Sequence, residues 1–261
     1  MNRILIKLLL CFAFVYTSCV PTNDLIYLQK KDNENVIVNQ IVAKPYRLQV
    51  NDVVSIFIKA LDQKLVTMFN NSSESGIATK SDVGLYFDGY TVDDHGNIRI
   101  PVLGEVSVIG NTIDEVRKTV EKKLSEEYFN KEANIFVTIK LAGLRYTING
   151  EITSPGTRVL YQDKVNILEA IANSGDITIT GDRKAVTVIR QFPYGTEMHD
   201  IDLTDINAMK SPYFYIQPND YIYIKPLKQK TWGTGTTGIQ SLGTLITLLS
   251  LATTTFLLLR N

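Results

Sequence analysis

"YTVDDHGNIRIPVLGEVSVIG" occupies Tyr90 to Gly110, and a turn between two strands is legible in it. In "VDDHGN" (92–97), Asp93 and Asp94 are residues whose carboxylates bond local backbone, and Gly96 tolerates a tight turn. "GEVSVIG" (104–110) then alternates apolar and polar positions as a half-buried strand does. A helix follows directly. Thr112 and Glu115 have capping-box spacing, and Ile113, Val116, Val120 and Leu124 form one apolar stripe. Lys118, Glu121, Lys122, Glu126 and Glu127 make its solvated face, with no function attached. "NIFVTIKL" (134–141) reads as the next strand.

Outward from this unit the chain echoes itself. "LQVNDVVSI" (48–56) and "IQPNDYIYI" (216–224) share apolar-Gln-x-Asn-Asp-x-apolar-x-Ile. Asn-Asp is turn chemistry, and the alternation behind it is strand patterning. "GEITSPG" (150–156) likewise echoes "GEVSVIG", so repeated use of one strand–turn–strand device is expected. A second helix is predicted over 163–173, with Asp163 as its cap, Val165, Leu168, Ile171 and Ala172 inward, and Asn173-Ser174-Gly175 as its stop. "YTINGEI", "AVTVIRQF", "YFYI" and "YIYIK" are further short strands. Strands with one helix per group, segregated rather than alternating, predict α+β domains. Residues 60–88, with "NNSSESG" at their centre, read as a mobile insertion in the first domain.

The N-terminus "MNRILIKLLLCFAFVYTSC" has Arg3 and Lys7, an apolar core from Leu8 to Val15, and small residues before Cys19. That is the layout of a secretory signal peptide (1–18), and a cysteine in that place resembles a lipoprotein cleavage box. The alternative is an ordinary signal cut nearby with a free Cys19. Cys11 leaves with the signal, so the mature chain is expected to hold no disulfide. Of 27 basic residues two leave and none of the 27 acidic ones does, so 25 basic face 27 acidic. A near-neutral chain carries no electrostatic footprint for nucleic acid. The polar stretch 19–43, broken by Pro21, reads as an extended leader running from the membrane to the first domain.

The other end is "WGTGTTGIQSLGTLITLLSLATTTFLLLRN", from Trp232 to Asn261. Gly233, Gly235 and Gly238 spell G-x-G-x-x-G, but only 23 residues follow and none is acidic, so no dinucleotide fold fits. Residues 228–238 read instead as a flexible joint, and 239–259 as an uncharged helix of about 31 Å, the thickness of a bilayer core. At 100° per residue, Gln240, Gly243, Thr244, Thr247, Ser250 and Thr254 fall on one arc, opposite Leu242, Leu245, Leu249, Ala252 and Phe256. Leu251 and Leu258 interrupt the arc. Two readings stand for this helix: a lone anchor whose hydroxyls bond back to their own backbone, or a helix with lipid on one face and water or neighbouring copies on the other.

No catalytic constellation is present in the sequence. His95 lies in the 92–97 turn, His199 stands beside Asp200, and Asp93, Asp94 and His95 are too close in sequence to converge on a metal. No nucleophile elbow, P-loop or acid–base carboxylate pair is found. Tyr213, Tyr215, Tyr221 and Tyr223 are expected in the core rather than on a sugar.

"YRLQVNDVVSIFI" followed by "YTVDDHGNIRIPVLGEVSVIG" and its helix and strand resembles the export domain of bacterial polysaccharide exporters. Val92, Asp93, Gly96, Ile98, Pro101, Gly104 and Val106 carry the match, with Asn51 where that family has glycine. Residues 143–227 are similar to the family's ligand-binding β-grasp domain through Gly150, Pro155, Gly156 and the helix at 163–173. The resemblance implies an export domain (44–142), a single β-grasp domain (143–227) and a transmembrane helix (239–259) in an outer-membrane lipoprotein acylated at Cys19. It further implies a homo-oligomeric ring whose C-terminal helices surround a pore, lined by the arc from Gln240 to Thr254. Capsular or exopolysaccharide would pass through it from an inner-membrane co-polymerase or chain-length regulator, with no enzyme activity, cofactor or metal. The competing expectation is a membrane-anchored periplasmic adaptor that binds a glycan or a protein through the β-grasp domain.

Overall fold

The computed structural model describes residues 21–30, 45–61, 66–70, 88–129, 134–192, 194–231 and 238–260. The sequence alternations become strands around two separate apolar cores. In the first, β1 (Val53–Lys59) lies between β2 (Tyr90–Thr91) and β5 (Phe136–Leu141), antiparallel to both. Val54, Ile56 and Ile58 of β1 point inward while Phe57 and Lys59 point out, the period of two that one buried face requires. β3 (Asn97–Ile100) and β4 (Gly104–Ser107) form the hairpin read from the opening motif. Asp93 Oδ1 accepts the backbone N–H groups of His95 and Asn97, and Gly96 adopts φ +80° against Ile109. α1 (Ile113–Glu127) starts on the Thr112/Glu115 capping box and buries Val116, Val120 and Leu124.

The second core is covered by a five-stranded sheet, in which β6 (Leu144–Gly150), β7 (Gly156–Leu160), β9 (Gly181–Phe192), β10 (Gly195–Ile201) and β12 (Tyr221–Pro226) stand in the order β10-β9-β12-β6-β7. Its central pair, β12 and β6, is parallel; every other pair is antiparallel. β8 (Val165–Asn166) pairs with β11 (Tyr215–Ile216), and α2 (Ile167–Asn173) leaves β8 directly. The fold is α+β, as expected from the segregation of elements.

Several expectations are corrected by particular contacts. The second helix begins four residues late, because Asn166 forms a capping box with Glu169 and Val165 is engaged in strand pairing. Asp163 is therefore no cap but an exposed partner of Lys140, and the later start leaves Ala172 exposed and Ala170 buried. The second sequence echo is not a structural one. Gly104 opens β4, whereas Gly150 closes β6, and "GEITSPG" leads into β7 rather than a helix. Within 60–88, residues 66–70 are docked: Val66 and Phe69 are buried, and the Asn70 amide bonds both backbone groups of Ile58. The rest of that insertion lies largely outside the described residues. The joint begins with a short helix, α3 (Lys228–Thr231).

α4 (Gly238–Arg260) has 23 residues, and its apolar and polar positions are only weakly segregated around its axis. Thr253, Thr254 and Thr255 explain part of this, since three successive positions sweep about 200° of a helix. Among the described residues, no helix is long and apolar enough to cross a membrane.

Gly150 makes the tightest backbone approach in the second sheet. It has φ +96°, and a Cβ there would lie 2.0 Å from the Ile224 carbonyl oxygen of β12. Gly150→Ala is expected to destabilise the chain by about 4 kcal/mol or more, through strain and loss of the parallel pair. Urea denaturation followed by far-ultraviolet circular dichroism measures this.

Candidate functional site

The two Asn-Asp turns fold alike. Asn51 and Asn219 have φ +70° and +65°, a left-handed geometry that asparagine tolerates. Asp52 Oδ2 accepts the Gln49 N–H at 2.8 Å, and Asp220 Oδ2 accepts the Gln217 N–H at 2.7 Å. Each turn also bridges to another strand: Asn51 N–H donates to Val92 O, and Asn219 N–H donates to Arg145 O. The sequence echo is thus one device, built once in each core.

The two turns also meet. Asn219 Nδ2 donates to Asp52 Oδ1 at 3.3 Å, and Gln49 Nε2 donates to Gln191 O at 3.4 Å. Around this seam Tyr46 donates its hydroxyl to Asp52 at 2.7 Å, and Arg190 forms a two-armed pair with Asp220 at 2.9 and 2.7 Å. Asp52, Asp220 and Arg190 are all buried. Burial pushes the Asp52 carboxyl above its ordinary 3.8, although Gln49, Tyr46 and Asn219 bond its charged form. Burial and the neighbouring carboxylate push the Tyr46 phenol far above its ordinary value, so it remains a donor. The Arg190 guanidinium lies over the Tyr213 ring, 4.8 Å from its centroid, and His199 stacks on Tyr213 at 4.8 Å.

Of the leader expected over 19–43, residues 21–30 lie along the second domain, and residues 31–43 lie outside the described residues. Leu28 and Gln29 donate their N–H groups to Leu203 O and Thr204 O at 3.0 and 2.7 Å, and Asp24 pairs with Lys184 at 2.6 Å. Tyr27 donates its hydroxyl to Asp176 under the Arg183 guanidinium. The base of the tail is held by a neighbouring loop: Lys230 pairs with Glu151, and Leu227 N–H donates to Thr180 O at 2.8 Å. Glu151 N–H and carbonyl in turn join that loop to β12 and Thr178. Both flanks of the chain are therefore fastened to the second domain. The periodicity of "LIYLQ" carried no signal for this, because the docking uses backbone bonds.

Cys19 lies outside the described residues, as does the Gln240 side chain. Gly243, Thr244, Thr247, Ser250 and Thr254 are exposed on α4. The Thr247, Ser250 and Thr254 hydroxyls donate to carbonyls three or four residues back in their own helix, as do those of Thr253 and Thr255. Among the described residues no group of three His, Cys, Asp or Glu side chains comes together. His199 lies within β10. Of the tyrosines, Tyr213 is buried and Tyr215 packs on the core, while Tyr221 and Tyr223 alternate away from it and leave Ile222 and Ile224 inside.

Residues 40–140 match the family model described as polysaccharide biosynthesis/export protein, and residues 144–224 match that of the SLBB domain. The two matched stretches coincide with the two apolar cores. The chain carries the domain described for polysaccharide biosynthesis/export proteins, followed by an SLBB domain. It is 27% identical over 161 residues to the EPS I polysaccharide export outer membrane protein EpsA of Ralstonia solanacearum, and 26% identical over 162 residues to that of Ralstonia nicotianae. Each alignment covers 60% of this chain and 42% of the relative, so the chain spans about two-fifths of the length of the curated relatives it matches.

Removing Asp220 would leave Arg190 as a buried unpaired cation, so Asp220→Ala is expected to cost about 3–5 kcal/mol. Asp52 gives a pH signature. Its folded carboxyl titrates above the unfolded value near 3.8, so the native chain binds more protons there and stability from this residue falls as pH rises through that window. Urea midpoints at pH 4 and pH 7 should fall more in the wild type than in Asp52→Asn.

Proposed function

We propose that the protein is a subunit of an outer-membrane export channel for capsular or exopolysaccharide, anchored by a lipid on Cys19 and by α4. The matched export domain and the relatives' names support the export role. The fastening of both flanks to the second domain carries the architecture. From Cys19 to Thr22 three residues span at most about 11 Å, so a lipid on Cys19 holds the second domain against the bilayer. The segment that precedes α4 in the chain, with Leu227 and Lys230, is fastened to the same domain. The first domain then projects into the periplasm, toward an inner-membrane co-polymerase or chain-length regulator that delivers the glycan.

A lone α4 is a mediocre anchor. A ring of copies covers its glycines and hydroxyls with one another and satisfies every backbone group internally. The hydroxyls that donate to their own helix keep lone pairs free to accept from a hydrated sugar chain. The role is passive, as fits a domain described by export. The membrane-anchored adaptor is the second reading, and the weak segregation of polar positions on α4 favours it.

Cys19→Ala is expected to abolish incorporation of labelled fatty acid, while α4 still holds the chain at the membrane. In the acylated background, single cysteines at 244, 247 and 254 should react with a membrane-impermeant thiol reagent, and those at 245, 249 and 256 should not. Labelling without a helical period, in a protein that is monomeric in mild detergent, decides for the adaptor.

A further inference from the structure

The two free edges of the second sheet are complementary to each other. β10 pairs only with β9 among the described strands, and β7 pairs only with β6. Exposed edges are ordinarily blunted by lysine, proline or a bulge. β10 carries no lysine, proline or bulge, and the charge on its inner face, Glu197, is what a cationic partner edge would answer. Its register with β9 is unbroken from Gly195 to Ile201, and every residue before Ile201 is exposed, Met198 at 69%.

The directions match. β12 and β6 are parallel, β9 opposes β12 and β10 opposes β9, so β10 runs with β6; β7 opposes β6. A second copy set edge to edge in the same orientation brings β10 against β7 antiparallel, the sense that needs no crossover. The faces match as well. Glu197 and His199 share the core face of β10 with buried Ile201, while Arg158 and Leu160 share that of β7, opposite buried Tyr146 and Leu144. Charge then selects a register: Glu197 opposite Arg158 puts Met198 against Thr157 and Thr196 against Val159, with outer faces aligned. Arg158 Nη2 donates to Ser154 O at 3.2 Å, and the Glu197 carboxylate accepts from the Tyr194 and Tyr213 hydroxyls, so each keeps only part of its bonding capacity for the other.

We propose that β10 of one copy pairs with β7 of the next, Glu197 opposite Arg158, as the head-to-tail contact between subunits. The inference rests on the ring reading above and names its interface. A heterologous contact of this kind closes into a ring when its rotation allows. Five residues of strand pairing fix register and orientation, and the remaining contact area comes from the surfaces the pairing brings together.

The test uses the full acylated chain in mild detergent, as Met198→Cys/Thr157→Cys, with a short thiol cross-linker. The double variant is expected to give a ladder of covalent multimers at least tenfold stronger than either single variant. Asp200→Cys/Val159→Cys, four residues out of register and roughly 13 Å apart, should give none. Glu197→Lys should weaken the ladder, and adding Arg158→Glu should restore it. Dimers from Met198→Cys alone would mean β10 pairing with itself and overturn the inference. A multimeric particle without the ladder would overturn this interface and leave the ring standing. A monomeric particle would overturn both.

Discussion

The Asp220 carboxylate holds three parts of the molecule together. It accepts the Gln217 N–H and so closes the turn before β12, and it takes both arms of Arg190 from β9. Asn219, whose left-handed backbone that turn requires, is thereby aimed at Asp52 in the other core. A buried ion pair is a weak source of net stability, because desolvation offsets most of its attraction. Its effect here is on geometry. With Asp220 unpaired, Arg190 would be a buried cation, so the turn, β9 and β12 are held in one arrangement.

Because the turn is used twice, the seam has a near-symmetric character. Each Asp closes its own turn, but the two differ in their second partner. Asp220 has a guanidinium, whereas Asp52 has the Tyr46 hydroxyl and the Asn219 amide. Burial shifts both carboxyls upward, that of Asp220 against the pull of Arg190 and that of Asp52 against neutral partners only. An ionic pair thus locks the second domain internally, while weaker neutral bonds join it to the first. The contact between domains is the softer of the two.

What was legible in the sequence follows this division. Local chemistry was readable: the 92–97 turn, the Thr112 box and the repeated Asn-Asp motif each act within a few residues. Asn166 was missed because Asp163 offered an equally good cap, and only the pairing of Val165 with Ile216 decides between them. The seam itself was not legible. Arg190 sits in "AVTVIRQF" as one polar residue of a strand, and its partner is 30 residues away in the turn before β12. The Asn-Asp turns could have given a clue, since a motif used twice invites the question of whether its copies meet. The leader's docking left even less trace, because Leu28 and Gln29 bind through backbone groups that every sequence carries.

The tail separates two physical demands that sequence patterning alone merges. A threonine that donates to a carbonyl four residues back has removed its strongest polar liability and can lie against lipid. The same hydroxyl still accepts bonds on its outer side, so it can also line water. Thr253, Thr254 and Thr255 show the consequence: three consecutive hydroxyls, all bonded inward, occupy positions that no single polar face contains. The neighbours therefore decide which face is wet, and the helix by itself does not. An edge-to-edge pairing of second domains would bring the helices of adjacent copies near one another, because α3, which precedes α4 in the chain, is fastened to that domain through Lys230 and Glu151. Strand register in the sheet would then bear on which threonines of adjacent helices meet.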